Sequence, residues 1–250
     1  MQTKIKTISK IIVAFATLTF LGSVALLLRV ISFGYLLNFN RKYFIPFTSK
    51  LILKIIEVEI QLPQQIEVLE DGPYFITFNH NSALDIFALT ALGHTNTLFL
   101  LSEKTLRILP LTLTALSIGV LYIPQQQHIK RRLQFFKKLE KLAKRKKINI
   151  AGSSEGVHVH HHGIDKFNKG VYHLATVCKL NIIPYFITNP KETGPLKGYY
   201  KDVNKTNIKI EKLETIDTQN WTIDDLVKNK EAVRTIFVKK FNGVHNTEIL

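Results

Sequence analysis

Tyr74-Phe75-Ile76-Thr77-Phe78-Asn79-His80-Asn81-Ser82-Ala83-Leu84-Asp85 joins an aromatic, β-branched, alternating run to an apolar helical one, and its reading decides the fold. Tyr74 to Phe78 favours a strand, and Ser82 is a good N-cap for a helix from Ala83 to Leu92. Residues five apart on a regular helix point about 140° away from each other at ~3.6 residues per turn. His80 and Asp85 can therefore meet only if His80 stays outside the helix, in a turn at His80 and Asn81. A histidine side chain has an unperturbed pKa near neutrality and can take a proton from a hydroxyl once a carboxylate orients its ring. A plainer reading fits the same residues: Ser82-x-x-Asp85 resembles a capping box with Asp in place of Glu, behind a polar loop. The rest of the chain has to choose between them.

Outward from this stretch, strands and helices alternate. Tyr43 to Ile56 reads as an apolar-rich helix, and Ile66 to Leu69 with Tyr74 to Asn79 flank Asp71-Gly72, a hairpin signal. Downstream come strand Thr97 to Leu101, a helix from Pro110 to Ile118, strand Val120 to Ile123, a long basic helix and strand Ile148 to Ala151. Helix Val171 to Leu180 and strand Ile182 to Ile187 follow, the latter a continuous apolar run of the buried type. Ile208 to Leu213 adds an edge strand. Thr222 caps a final structural helix, Ile223 to Phe241, whose first turn holds Asp224 and Asp225, where acids suit the helix dipole. This alternation predicts an α/β fold, a mostly parallel sheet flanked by helices.

With 250 residues, 46% of them hydrophobic, the chain can build one sizeable core with an appended anchor. Ile11 to Leu28 is eighteen residues without a charge, the shortest run read as membrane-spanning. It could span, dip into one leaflet or act as a signal, but Leu26-Leu27-Leu28-Arg29-Val30 offers no small-residue cleavage site, which favours retention. The expected division is hydrophobic anchoring helices over 1–56 and one α/β domain over 57–250. Lys4, Lys6 and Lys10 precede the run and Arg29, Arg41, Lys42 and Lys50 follow it, which suits monotopic insertion with both ends on the cytoplasmic side of the cell membrane. Arg29 is placed to snorkel to the headgroups.

A net charge of +15 and a pI near 9.8 call for an anionic partner. No nucleic-acid module accompanies the charge, so membrane lipids are the expected partner and nucleic acid is not. The densest patch, Lys130-Arg131-Arg132 through Lys144-Arg145-Lys146-Lys147, carries Ile129, Leu133, Phe136, Leu139 and Leu142 at helical spacing. Such a helix either lies on lipid headgroups or packs its apolar stripe on the core and leaves the charges solvated. The one cysteine, Cys178, excludes an intramolecular disulfide and reads as a buried, inert thiol.

A second constellation, Gly152-Ser153-Ser154-Glu155-Gly156-Val157-His158, follows a strand and offers a carboxylate, flexible backbone and N–H groups suited to a developing oxyanion. A surface turn has the same composition. Its order in the chain adds weight. Asn79-His80 with Asp85, then Gly119-Val120-Leu121-Tyr122-Ile123, Ser154-Glu155-Gly156, Phe167-Asn168-Lys169-Gly170 and Ile183-Pro184-Tyr185 resemble the ordered blocks of the glycerolipid acyltransferases, in particular bacterial 1-acylglycerol-3-phosphate acyltransferases. The similarity covers roughly residues 60 to 190.

The resemblance implies transfer of a fatty acyl group from acyl-CoA or acyl carrier protein to a hydroxyl of a lyso-lipid, with the donor as co-substrate and no cofactor or metal. His80 would be the general base, and Asp85 would orient it and stabilise the imidazolium. Asn79, Ser82, Glu155, Gly156, Val157, His158, Gln125 and Lys169 would contact substrate. Two departures bear on the acceptor. Gln125 stands where the family's second block ends in arginine, and Ser154, Val157 and His158 stand where its third block has proline, threonine and arginine. Neither Gln nor neutral His reproduces bidentate charge pairing with a phosphate. Lys130, Arg131, Arg132, Lys166 or Lys169 would then have to compensate, or the acceptor would be another lysophospholipid or a lyso-aminolipid such as an ornithine or glycine lipid. A non-catalytic lipid-binding homologue is the alternative from another class. His158, His160, His161 and His162 lack companion ligands at metal-site spacing and read as a polar surface loop.

Overall fold

The computed structural model describes residues 2–64, 72–80, 82–156, 163–188 and 206–246. A seven-stranded sheet runs in the order β1-β7-β6-β2-β5-β3-β4, from β1 (Val58–Gln61), β2 (Tyr74–Phe78), β3 (Thr97–Ser102), β4 (Leu121–Ile123), β5 (Asn149–Ser153), β6 (Asn181–Thr188) and β7 (Thr206–Lys212). β6, β2, β5, β3 and β4 are parallel, while β7 is antiparallel to β6 and carries β1 parallel to itself. The expected mostly parallel sheet flanked by helices is the one observed.

Side chains on a strand alternate between faces, and the central strands bury both. On one face Ile76 and Phe78 of β2, Ala151 of β5 and Ile183, Tyr185 and Ile187 of β6 pack under α1 (Gln2–Ile31), α3 (Ile45–Ile55) and α4 (Asp85–Thr90). On the other, Phe75, Ile150, Ile182 and Phe186 meet α6 (Ile129–Lys146), α7 (Lys169–Cys178) and α8 (Leu226–Asn246). α1 leads through a short α2 (Leu37–Phe39) and a π-helical turn, Asn40–Phe44, into α3. α5 (Leu109–Ile118) packs beside α1 over Ala25, Ile45 and Val120.

Three expectations need correction. β2 has parallel partners on both edges, β5 and β6, so no preceding strand can pair with it as a hairpin; Ile66 to Leu69 lies outside the described residues. β7 is an inner strand, because β1 covers its far side. The helix expected from Ala83 begins two residues later, since Ala83 and Leu84 form a turn closed by the Asp85 N–H to the Ser82 carbonyl at 3.3 Å.

Cys178 ends α7 half-buried, and burial pushes its thiol up to about 11, away from the reactive thiolate. The Arg29 guanidinium donates to the Leu116 carbonyl at the end of α5 and lines an open groove beside it. Next to it, the buried Asn40 amide donates to Ala25 O at 2.8 Å and to Ser117 O at 3.2 Å, joining α1 to α5. Asn40→Ala removes both donations, including the one to Ser117 O at the end of α5, and we expect it to lower unfolding free energy by about 1–3 kcal/mol in a denaturant titration. An unchanged midpoint would remove Asn40 from that joint.

Candidate active site

Five parallel strands end at one edge of the sheet, and in such folds the loops beyond the strands' carboxyl ends form the natural binding crevice. β2 delivers Asn79 and His80 there, and β5 delivers Ser154 and Glu155. Asn79 extends the β2–β6 ladder with its side chain: its buried amide donates to Ile187 O at 2.9 Å and its oxygen accepts the Ile187 N–H at 2.8 Å. His80 therefore leaves a strand end that cannot slide.

The His80 Nδ1 lies 2.9 Å from Asp85 Oδ2, with the imidazole a fifth exposed and the carboxylate wholly buried. That same Oδ2 accepts the Ser82 N–H at 2.9 Å, while Ser82 Oγ accepts the Leu84 N–H at 3.1 Å. The carboxylate half of a capping box is formed, and its hydroxyl half closes one residue early. Capping and ring orientation are thus done by one carboxylate. An ionised carboxylate can only accept, so this contact favours the tautomer with the proton on Nδ1 and leaves Nε2 free of the Asp85 contact.

Glu155 sits behind the histidine. Its Oε2 accepts the His80 backbone N–H at 2.6 Å and its Oε1 accepts the Asp165 N–H at 3.3 Å. Burial raises its pKa to about 8; the two N–H donors pull the other way, and the charges of Asp85 and Asp165 add to the rise. The amides expected to face an oxyanion are spent elsewhere: the Glu155 and Gly156 N–H groups both donate to Ser153 Oγ at 3.2 Å. Gly156 has φ +72°, and a Cβ there would stand 3.1 Å from Asn168 Nδ2, so both backbone and space require glycine. Asn168 caps α7 by accepting the Gly170 N–H at 3.1 Å and donates its own N–H to Ser154 O at 2.7 Å.

Not every anticipated residue gathers here. Gln125 donates its amide to Ser102 Oγ at 2.9 Å and its N–H to Glu103 Oε1 at 3.0 Å, beyond β4. With β5 and β3 between β4 and β2, that is about 14 Å across the sheet at ~4.8 Å per strand. Lys169 is exposed in the first turn of α7. Asn81, Val157, His158 and His160 to His162 lie outside the described residues. Sequence reasoning missed Asp165, whose contribution is a backbone N–H and so carries no residue signature. It also missed a buried chain of hydroxyls beneath Glu155, in which Ser154 Oγ lies 2.5 Å from Thr77 Oγ1 and 2.8 Å from Tyr172 OH. The serine found where the family pattern has proline was the visible sign.

A histidine beside a buried carboxylate at the open edge of a parallel sheet has the geometry that general-base chemistry on a hydroxyl requires. The Acyltransferase family model matches residues 57–188, just over half of the chain, and the chain belongs to that family. It is 21% identical over 175 residues to a Caenorhabditis elegans protein named as the 1-acyl-sn-glycerol-3-phosphate acyltransferase acl-2; the match takes in 70% of this chain and 61% of that relative's length. The crystal structure of PlsC, the 1-acyl-sn-glycerophosphate (LPA) acyltransferase of Thermotoga maritima, has the same fold, with a TM-score of 0.72, 15% identity and 96% of each chain covered.

The folded-state pKa of Glu155, about 8, lies above its ordinary 4.5, so between these values the folded protein holds a proton that the unfolded chain has released. Its stabilising contribution is complete below 4.5 and is lost as pH rises through 8. Glu155→Gln carries no charge at any pH and is expected to flatten this part of the pH profile of the thermal midpoint. A profile as steep as that of the unaltered protein would assign the proton elsewhere.

Proposed function

We propose that the protein is a membrane-bound O-acyltransferase that moves a fatty acyl group from acyl-CoA or acyl carrier protein to the hydroxyl of a lysophosphatidic acid-like acceptor. The 2.9 Å contact between His80 Nδ1 and Asp85 Oδ2 carries this reading, supported by family membership and by what the relatives are named for. Nε2 takes the acceptor's hydroxyl proton as the oxygen attacks the thioester carbonyl. The tetrahedral intermediate then collapses with breakage of the C–S bond, and the imidazolium returns its proton to the departing sulfur. Asp85, buried and already holding the Ser82 N–H, stabilises the transient imidazolium without changing position.

For the acceptor's phosphate, the cation comes from α6 in place of the strand end. Arg132 donates to Pro124 O at 2.8 Å and lies over the Phe136 ring, 5.8 Å from its centroid, which sets a guanidinium beside Gln125. Arg131 is held by Glu103 at 3.0 Å.

The membrane attachment rests on α1. Lys6–Ile31 is the one helix among the described residues long and apolar enough to cross a membrane, with a mean hydropathy of 2.5. Phe20 within this helix, and Phe33, Tyr35 and Phe47 beyond its end, are exposed aromatic residues. We place this surface in one leaflet on the cytoplasmic face of the cell membrane, where a lyso-lipid and a soluble acyl donor can meet.

His80→Ala is expected to lower transfer of labelled acyl from acyl-CoA to lysophosphatidic acid by about 10²–10⁴-fold while vesicle binding persists, and Asp85→Asn to cause a loss of the same order. Full activity in His80→Ala would end this reading. Arg132→Gln should raise KM for a phosphate-bearing acceptor by about tenfold or more, the loss of one charge-assisted contact, and leave KM for a lyso-aminolipid unchanged. An equal effect on both acceptors would move phosphate recognition away from Arg132.

A further inference from the structure

At the other end of the molecule, three side chains from the N-terminal region close the C-terminus of α5. Arg29 donates to Leu116 O, Asn40 to Ser117 O and Arg41 Nε to Ile118 O at 2.9 Å; Arg41 Nη1 also reaches Thr95 O at 2.9 Å. A helix C-terminus presents only about half a negative charge. Two full positive charges converge on this one: a Cβ at Gly119 would stand 3.4 Å from Arg41 Nη2 and 3.7 Å from Arg29 Nη1. None of the ion pairs among the described residues gives either arginine a carboxylate. Burial, followed by the charge of Arg29, brings the pKa of Arg41 down to about 10. The cluster therefore holds positive charge that no carboxylate among the described residues pairs.

Arg29 also lines an open groove of about 390 Å³ whose other walls are Leu26, Val30, Phe33, Gly34 and Leu116. The walls are apolar and continue onto the exposed faces of Val30, Ile31 and Phe33. A small hydrophilic anion would leave those walls wet, whereas an amphiphile with an anionic head satisfies both halves of the groove. The groove is not the acceptor's site. α5 runs into β4, so its C-terminus lies at the amino ends of the parallel strands, opposite the edge that carries His80 and Glu155.

We propose that Arg29, backed by the charge of Arg41, binds the phosphate of an anionic bilayer phospholipid in this groove, with its acyl chains along the apolar face of α1. The assignment rests on the reading of α1 as lying in a leaflet. It makes the bound lipid a fixed point for the helix at the end remote from catalysis.

The test uses the full chain, exchanged from detergent with phosphatidylglycerol or phosphatidylcholine and examined by native mass spectrometry. The unaltered protein should retain phosphatidylglycerol in preference to phosphatidylcholine. Arg29→Gln, whose amide can still donate to Leu116 O, should lose it. Val30→Trp, which fills the groove without touching the α5 cap, should lose it too. Lys137→Gln with Lys138→Gln, on the exposed side of α6, should keep it. Absence of preference in the unaltered protein, retention by either groove variant, loss in the α6 variant, or displacement by inorganic phosphate would each overturn the assignment. Flotation on neutral phosphatidylcholine vesicles reads the anchor separately: flotation without lipid preference sinks this inference alone, and failure to float sinks the membrane reading beneath it.

Discussion

Everything at the active edge depends on the hydrogen bond from the His80 backbone N–H to Glu155 Oε2, 2.6 Å long. It crosses from the end of β2 to the end of β5 and fixes the peptide from which the imidazole hangs. A buried carboxyl is costly unless its oxygens are satisfied, and the second oxygen is met by the Asp165 N–H. That N–H belongs to a segment pinned in turn by α8: Arg234 donates to Ile164 O at 3.0 Å and to Asp165 O at 2.8 Å, and the buried Lys230 donates to Phe167 O at 3.2 Å. The last helix of the chain thus helps to aim a side chain some 150 residues before it. Its structural role and the placement of the site are one fact, which the periodicity of Ile223 to Phe241 could not show.

What was legible in the sequence was local. The alternation of Tyr74 to Phe78 and the apolar run of Ile182 to Ile187 are short-range patterns, and each became the strand that its pattern predicts. The His80–Asp85 pair was legible too, as two competing readings that proved to be compatible, because one carboxylate oxygen serves both the ring and the Ser82 N–H. Strand order and direction were not. β1 and β7 run against the other five strands, and β7 lies inside the sheet, because pairing is settled by contacts between residues far apart in the chain. The Asp71-Gly72 hairpin signal was outweighed by two parallel neighbours that occupy both edges of β2. Roles played by backbone groups, such as that of Asp165, leave no trace in residue identity.

The basic helix shows how one sequence pattern can carry two functions along its length. Leu139 and Ala143, in the C-terminal half of α6, are buried under the sheet, which is the structural reading of its apolar stripe. In the N-terminal half Ile129 and Leu133 are exposed, while Arg131 and Arg132 turn back towards Glu103 and Pro124. The half that packs fixes the position of the half that presents charge. A guanidinium carried on a packed helix is better placed to meet a ligand than one on a loose loop, since less side-chain freedom is lost on binding.

Reaction and acceptor are set by physics of different range. Proton transfer needs an imidazole within hydrogen-bond reach of one hydroxyl, so under the proposed reaction His80 and Asp85 have little freedom to be replaced or moved. Attraction for a phosphate falls off only with the first power of distance and is shared among several cations. Under that reading a cation on a neighbouring element can stand in for an arginine at Gln125 without disturbing His80, as long as it reaches the same end of β4. Arg132 does reach it, held by Pro124 O and the Phe136 ring. The two departures from the family pattern differ in kind: at Gln125 the proposed reading takes its cation from α6, whereas the Ser154 hydroxyl has a partner in the buried Tyr172.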